Sequence, residues 1–423
     1  MLPSRSAPVV TDKTFNPSTP AWSGGTVGTV SATNSPTGWS ITAGNSAGDL
    51  AISNNGVITF TSQGATDFNG SVAQKSVTLM VQATNTSGLG TGIVNINAYA
   101  DGSVNAPSGS SAQYPTGLSG YRVRPPWKVA GFDYYVGIPS GTTLSSPTTI
   151  SNPNVTVSGG EVRCGGNGAS VTLNAIDFTG YYIYVPSGGC SSITVTNSNF
   201  ACSGDRSPSY TFFLDQNNAT EVFKYNKINS GDNCGTFPNN VSDPIVCGGN
   251  CTFEYNWFYH ATERVVDAGI VTLYEWNLID SPNTQNGAHE NYQQFAGGAT
   301  YTSDVVQFNA SYNWLSQYGQ ESYQFYGNVD HTIIEGPVMA YNTIIALKTS
   351  RGNATMTYMV HGSCHVPGSG CTTISGTGVV ANNYFDPTGA AYGIFYPRTF
   401  TAALGWSSSN NINMVTGRVV TPQ

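Results

Sequence analysis

Two hydrophobic rhythms divide the chain. Over residues 21–102, apolar and polar positions alternate in short runs: "TVGTVSA", "GWSITA", "LAISNNGVITF", "SVTLMVQAT" and "GIVNINAYA". Alternation with period two turns one face of each run toward a core, as in half-buried strands. The turn "NNG" (54–56) between two such runs is a hairpin signature, and several strands at this spacing predict a β-sandwich. From about residue 135 the rhythm changes. The unit becomes a β-prone run, an asparagine and two bulky apolar residues, as in "ITVTNSNF", "TEVFKYNKI", "CTFEYNWF", "VTLYEWNLI", "FNASYNWL", "GPVMAYNTII" and "GVVANNYF". The asparagines read as anchors are Asn199, Asn226, Asn256, Asn277, Asn313, Asn342 and Asn383. One anchor in every ~20–40 residues predicts a solenoid of stacked coils, with inward Val, Ile, Phe and Leu aligned from coil to coil. A turn asparagine in the left-handed region could then bond its counterpart in the next coil.

Composition agrees with an all-β chain. Of 423 residues only 9% are charged, against ~25% in an ordinary soluble domain. The net charge is −8, with no cluster of Lys or Arg, so no nucleic-acid partner is expected. No run of 18 apolar residues exists to span a membrane. Residues 1–20 read as an extended arm, 21–102 as the sandwich, 103–134 as a Pro/Gly/Ser-rich linker and 135–423 as the solenoid. Tyr121, Arg122, Arg124 and Trp127 indicate that the end of the linker docks on the solenoid.

All eight cysteines lie beyond residue 163: Cys164, Cys190, Cys202, Cys234, Cys247, Cys251, Cys364 and Cys371. An even count in a chain poor in charge points to disulfides and an oxidising environment. Cys164 and Cys190 lie about one coil apart along the chain and can bridge neighbouring coils; Cys364 and Cys371 can close a surface loop. "CGGNC" (247–251) lacks a partner pair of Cys or His at zinc-site spacing, so no metal and no cofactor is expected. The opening "MLPSRSAPVVTDKTF" has no apolar core of a signal peptide. A virion or extracellular location is nevertheless expected, reached through a lost leader, another export route or host lysis.

"LAISNNGVITFT" and "VTLMVQATNTSGLGTGIVNINAY" resemble the cadherin-like and Ig-like repeats of bacterial and phage surface proteins, which serve as spacers or adhesive modules. Asn85 stands where that family's calcium-binding Asp is expected. The asparagine-anchored repeat resembles the right-handed parallel β-helix of the pectate-lyase-like superfamily, over roughly the last two thirds of the chain. That fold serves lyases, hydrolases, epimerases, phage tailspikes and inert scaffolds alike.

The candidate chemistry lies in a near-repeat, "HENYQQF" (289–295) and "QESYQF" (320–325), with "ERVVD" (263–267) one coil earlier. Aligned, Glu263, Glu290 and Glu321 form one column, with Tyr292 over Tyr323 and Phe295 turned inward. Neighbouring coils rise ~4.8 Å, so these carboxylates have the separation a glycosidase pair needs. His289 and His260 add acid–base capacity, while Tyr292, Tyr323, Gln294 and Gln324 suit a sugar or a partner surface. "HENYQQF" is also similar to the H-x-D-x-x-Q-F pattern of bacterial β-helix proteins linked to polysaccharides. His289, Gln294 and Phe295 match, but Asn291 replaces the acid. The weightier alternative is that outward Glu and Gln columns are solvated faces and that His331, His361 and His365 lie on surface loops. Trp257 and Trp314 read as core.

The leading expectation is a structural or appendage protein of a phage virion, such as a spike, fibre, collar or capsid-attached protein. Its expected partners are other virion proteins, host polysaccharide and copies of itself, with a trimer favoured. The alternatives are a polysaccharide lyase or glycoside hydrolase, and a bacterial surface adhesin.

Overall fold

The computed structural model describes residues 6–15, 17, 24–69, 75–98, 103, 105–202, 211–229, 244–259, 264–268, 271–280, 291–295, 300–302, 304–313, 323–327, 333–348, 356, 359–362, 373–375, 377–395 and 405–422. For 65–66, 69, 75, 98, 264–268, 271, 291–295, 300–302, 323–327, 333–335, 361–362 and 373–375 it describes the backbone alone. The chain divides into two compact units, residues 1–104 with 126–128, and residues 105–125 with 129–423.

The larger unit is a β-helix. Among the described residues three nine-stranded sheets run its length, and within each the strands come from successive coils in chain order. The first sheet includes Glu161–Cys164, Tyr182–Val185, Phe213–Asp215, Ile245–Val246, Arg264–Ala268, Asn291–Phe295, Tyr323–Gly327 and Val360–Gly362. The second includes Ser192–Thr196, Thr220–Lys224, Asn250–Glu254, Val271–Glu275, Val305–Gln307 and Val338–Ala340. The third begins at Asn199–Ala201 and continues through Trp257–Tyr259, Leu278–Asp280 and Ala310–Asn313. All pairs are parallel except at two sheet ends. Val155–Ser158 pairs antiparallel with Glu161–Cys164, and Val419–Val420 with Asn411–Asn413. Alternate residues point inward and merge into one core from Val155 to Trp406. Phe178 stacks on Phe200 with ring centroids 4.8 Å apart, and Phe223 on Phe253 at 5.2 Å.

The asparagine ladder is real, but two of its rungs differ from the sequence reading. It runs Asn226, Asn256, Asn277, Asn309, Asn342, Asn383 and Asn411, all fully buried, and Ser198 stands at its start. Each Nδ2 donates to the next Oδ1, at 3.0–3.2 Å throughout. Each Oδ1 also accepts the backbone N–H of the preceding rung. Asn199 and Asn313 are strand residues instead. Parallel register decides the matter. Glu275 pairs with Gln307, an offset of 32, and Asn277 to Asn309 keeps that offset; Asn313 would break it.

The left-handed residue is not the asparagine but the one before it. Asn197, Tyr225, Tyr255, Trp276, Phe308, Tyr341, Asn382 and Asn410 have φ between 52° and 60°. For a bulky residue that conformation costs roughly 1–2 kcal/mol. The rings offset it by stacking in a row, Tyr225 on Tyr255, Trp276, Phe308 and Tyr341, with centroids 5.0–6.2 Å apart. Such contacts contribute ~0.5–1.5 kcal/mol each, and the ladder bonds add about 1 kcal/mol apiece.

Residues 105–125 and 129–145 do not form a free linker; they are a strap on this unit. Outbound, the Asn105 carbonyl accepts from Tyr225 Oη at 2.8 Å and Tyr114 Oη donates to Asp280 Oδ2 at 2.5 Å. Farther along, Tyr121 Oη donates to Asp386 Oδ2 at 2.5 Å and the Val123 amide to the Met414 carbonyl. Returning, Phe132 packs on Tyr312, Tyr135 on Trp257, and the Gly137 amide donates to the Tyr255 carbonyl. Gly131 (φ 77°) lets the strap close down, since a Cβ there would lie 2.6 Å from Leu278. Composition hid this because aromatic anchors spaced among Gly, Pro and Ser look like a spacer. Trp257, read as core, faces the strap and donates to Asp280 Oδ2 at 3.1 Å.

Cys164 and Cys190 form the expected bridge between adjacent coils, with Cα atoms 5.6 Å apart. Closing a loop of this length is worth ~3.5 kcal/mol in the chain-entropy treatment. Cys164→Ala is therefore expected to lower unfolding stability by about 2–4 kcal/mol in denaturant titration. A loss under ~0.5 kcal/mol, the size of an ordinary surface substitution, would contradict that role. Cys202 is also disulfide-bonded. Cys234, Cys364 and Cys371 lie outside the described residues.

The smaller unit is sandwich-like. A sheet of four strands, in order Lys13–Phe15, Gly88–Ala98, Lys75–Asn85 and Gly38–Ala43, shares one core with a sheet of Thr26–Thr29, Val57–Phe60 and Leu50–Ile52. Leu79, Val81, Val94 and Ile96 from the first sheet meet Val27, Leu50, Ile58 and Phe60 from the second. The expected arm is partly a strand, because Lys13–Phe15 pairs with Val94–Ile96 and Val10 is buried. The alternating pattern gives no sign of helix Ser62–Asn69. Asn85 donates from Nδ2 to the carbonyls of Ser6 and Asn34, so its amide clamps chain segments together.

Candidate functional site

The three sheets differ in what they present outward. The third is strapped. The second carries an outward, half-buried column that includes Val222, Thr252, Leu273, Val305, Val338 and Val379 in register. The first carries chemistry. One register column joins Arg163, Tyr184, Leu214, Val246, Asp267, Gln294 and Tyr326. Arg163 is exposed, and Tyr184, Leu214 and Val246 are half-exposed, so the column opens outward over these coils. The Arg163 guanidinium lies 4.9 Å over the Tyr184 ring and 3.4 Å from Glu161 Oε1. Tyr182 Oη donates to Glu161 Oε2 at 2.5 Å, and Tyr184 Oη to Gln216 Oε1 at 2.7 Å. An exposed pair like Arg163–Glu161 adds under ~1 kcal/mol to stability, so this network orders side chains more than it holds the fold.

The residues proposed from sequence fall on this same sheet. Tyr292 and Gln294 belong to strand Asn291–Phe295, and Tyr323 and Gln324 to the adjacent strand Tyr323–Gly327, on successive coils as the repeat implied. Their register differs by one. Gln294 pairs with Tyr326 and Phe295 with Gly327, whereas placing Tyr292 over Tyr323 requires a spacing one residue shorter. The same two coils are offset by 33 in the second and third sheets, which disfavours the shorter motif spacing. His361, read as a loop residue, sits in strand Val360–Gly362 opposite Gln324. His289, Glu290, Glu263, Glu321 and His260 lie outside the described residues.

Carboxylates with unusual surroundings occur elsewhere in the coil. At the end of the second-sheet strands, Lys224, Glu254, Glu275 and Gln307 follow one another in register. Lys224 Nζ bridges Glu254 Oε2 at 3.0 Å. Glu275 is fully buried and accepts from Gln307 Nε2. Burial, opposed by that bond and assisted by the negative charge of Glu254, pushes its carboxyl up to about 8. Glu275 has no open face toward solvent or a ligand.

A second polar column points into the core. Glu221, Cys251 and Thr272 are register partners on successive coils; Asp304 adjoins Thr272 because it precedes Val305, the partner of Leu273. All four are buried. Cys251 Sγ donates to Glu221 Oε2 at 2.8 Å, and the Gly248 amide donates to Glu221 Oε1 at 3.3 Å. Asp215, beside Glu221, accepts the Asn217 and Ala219 amides at 2.7 and 2.8 Å. Burial first, then Cys251 and Asp215, raises the Glu221 carboxyl; burial, then Cys251 and Glu221, raises the Cys247 thiol. Burial also raises the Asp304 carboxyl, against the opposing pull of the nearby Thr272 hydroxyl and amide. Cys247 and Cys251, candidates for disulfides from sequence, are both free thiols. Sequence reasoning sought their partners among Cys and His. The signal it passed over was "TEVFK", whose Glu221 occupies an inward position that Ile193 fills one coil earlier.

No helix among the described residues is long and apolar enough to cross a membrane. No protein-family model matches the chain, and no curated protein matches it.

Proposed function

We propose that the chain is a structural or appendage protein of a phage virion, with a pectate-lyase-like β-helix that contacts host-surface glycans through its first sheet. The observation that carries this reading is the register column of Arg163, Tyr184, Leu214, Val246, Asp267, Gln294 and Tyr326, outward over its first four members. Aromatic, guanidinium, carboxylate and amide residues on coils that rise ~4.8 Å suit an extended saccharide chain, which offers ring faces and hydroxyls along its length. Low charge, the sandwich-plus-solenoid layout and a coil-bridging disulfide fit an exposed, durable particle component. The enzymatic alternative needs open carboxylates. Among the described residues, Glu221 and Glu275 are fully buried, Glu254 is bridged by Lys224, and the half-exposed Glu161 on the first sheet is engaged by Tyr182 and Arg163.

The test is binding of the purified chain to a panel of bacterial surface polysaccharides. Tyr184→Ala, remote from the core, is expected to weaken binding about tenfold or more while leaving thermal unfolding unchanged. Undiminished affinity in Tyr184→Ala and Arg163→Ala together would remove the first sheet as the binding face. Shortening of the polysaccharide by the parent chain would replace this reading with the enzymatic one.

A further inference from the structure

We propose that Cys247, Cys251 and Glu221 form a buried site for a thiophilic divalent transition metal, of which Zn2+ is the natural representative, inside the β-helix. The ligand atoms of these three residues all lie within 4.8 Å of one another and are buried. Two thiolates and a carboxylate are a donor set for Zn2+, which bonds sulfur at about 2.3 Å and carboxylate oxygen at slightly shorter range.

The chain is shaped to bring these donors together. Cys247 and Cys251 flank the corner between the first and second sheets, joined by Gly248, Gly249 and Asn250. A Cβ on Gly248 would lie 2.4 Å from Asp215 Oδ2, and one on Gly249 2.1 Å from the Ala219 carbonyl. Only glycines let this corner press onto the preceding coil, and that approach sets both sulfurs beside Glu221. Asp215, fixed by two backbone amides, lies beside Glu221.

Thr272, the register partner of Cys251 on the next coil, is fully buried, and its hydroxyl and amide face the Asp304 carboxyl. A water as fourth ligand would complete a tetrahedral shell around the two sulfurs and the Glu221 carboxylate. Binding replaces the thiol proton between Cys251 and Glu221, so their 2.8 Å contact opens to the wider separation of tetrahedral co-ligands.

The experiment uses the full chain, refolded from denaturant under reductant with one equivalent of Co2+ so that access to the interior is not limiting. A thiolate-to-cobalt charge-transfer band and the strong visible bands of tetrahedral Co2+ are expected at one ion per chain, bleached by Zn2+. Cys251→Ser and Cys247→Ser should each abolish the charge-transfer intensity or reduce it by half. Glu221→Gln, which keeps shape and hydrogen bonding, should weaken affinity at least tenfold while circular dichroism stays that of the parent. Refolded parent chain with native circular dichroism and no such bands would overturn the site, as would bands unchanged in Cys251→Ser. A Cys247–Cys251 disulfide in protein isolated without reductant from zinc-supplemented cells would also overturn it.

Discussion

Replacing Asn277 by alanine is expected to destabilise the β-helix by about 3–6 kcal/mol, the largest effect of any single polar substitution proposed for this chain. Asn277 Nδ2 donates to Asn309 Oδ1, the Phe253 carbonyl and the Glu275 carbonyl; its Oδ1 accepts both the amide and the Nδ2 of Asn256. Alanine leaves at least two buried donors of Asn256 without an acceptor, at ~1–3 kcal/mol each, and water cannot reach them. The comparison is Asn199→Ala. Asn199 is half-exposed and bonds Asp177 and Thr179 at the surface, so its loss should cost under ~1 kcal/mol. Urea denaturation of the two variants side by side distinguishes the ladder from the motif, and equal losses would contradict the ladder as described.

The second large effect is a pH dependence set by Glu275. Its carboxyl ionises near pH 8 in the folded chain and near 4.5 when unfolded. A raised folded value means the folded state keeps a proton that the unfolded state has released. The resulting stability is whole below about pH 4.5, declines as pH rises through the window and is gone above about 8. Its size is of order 4 kcal/mol, at about 1.36 kcal/mol per pH unit. Glu275→Gln keeps an acceptor for Gln307 Nε2 and cannot ionise. The variant should therefore match the parent near pH 4.5 and exceed it by about 2–4 kcal/mol above pH 8. Parallel stability curves for parent and variant across that window would refute the assignment.

Much of the fold was written in the sequence. The period-two strands of residues 21–102, the coil repeat, and the Cys164–Cys190 bridge all follow from local pattern, and local pattern is what strands and coils are made of. The misplaced rungs show where pattern stops. "FNASYNW" offers Asn309 and Asn313, and only the parallel offset shared by a whole pair of coils selects the first. The strap was obscured for a different reason. Tyr114 and Tyr121 find Asp280 and Asp386, which lie 166 and 265 residues away, and no local rhythm records such a contact. The one-residue slip between the two YQ motifs has the same origin, since loop lengths between coils set register and motif likeness does not. Glu221 was passed over because an acid in an alternating strand reads as outward until the neighbouring coils show which face is the core.

The central claim is that the first sheet is the working face of this β-helix. Hydrogen exchange of the full chain, followed by mass spectrometry with and without saturating surface polysaccharide, tests it most directly. Slowed exchange in Glu161–Cys164, Tyr182–Val185, Arg264–Ala268 and Asn291–Phe295, with no change in Leu278–Asp280 or Thr343–Ala346, is the predicted result. Protection confined to the sandwich strands Lys75–Asn85 and Gly88–Ala98, or to the third sheet, would contradict it.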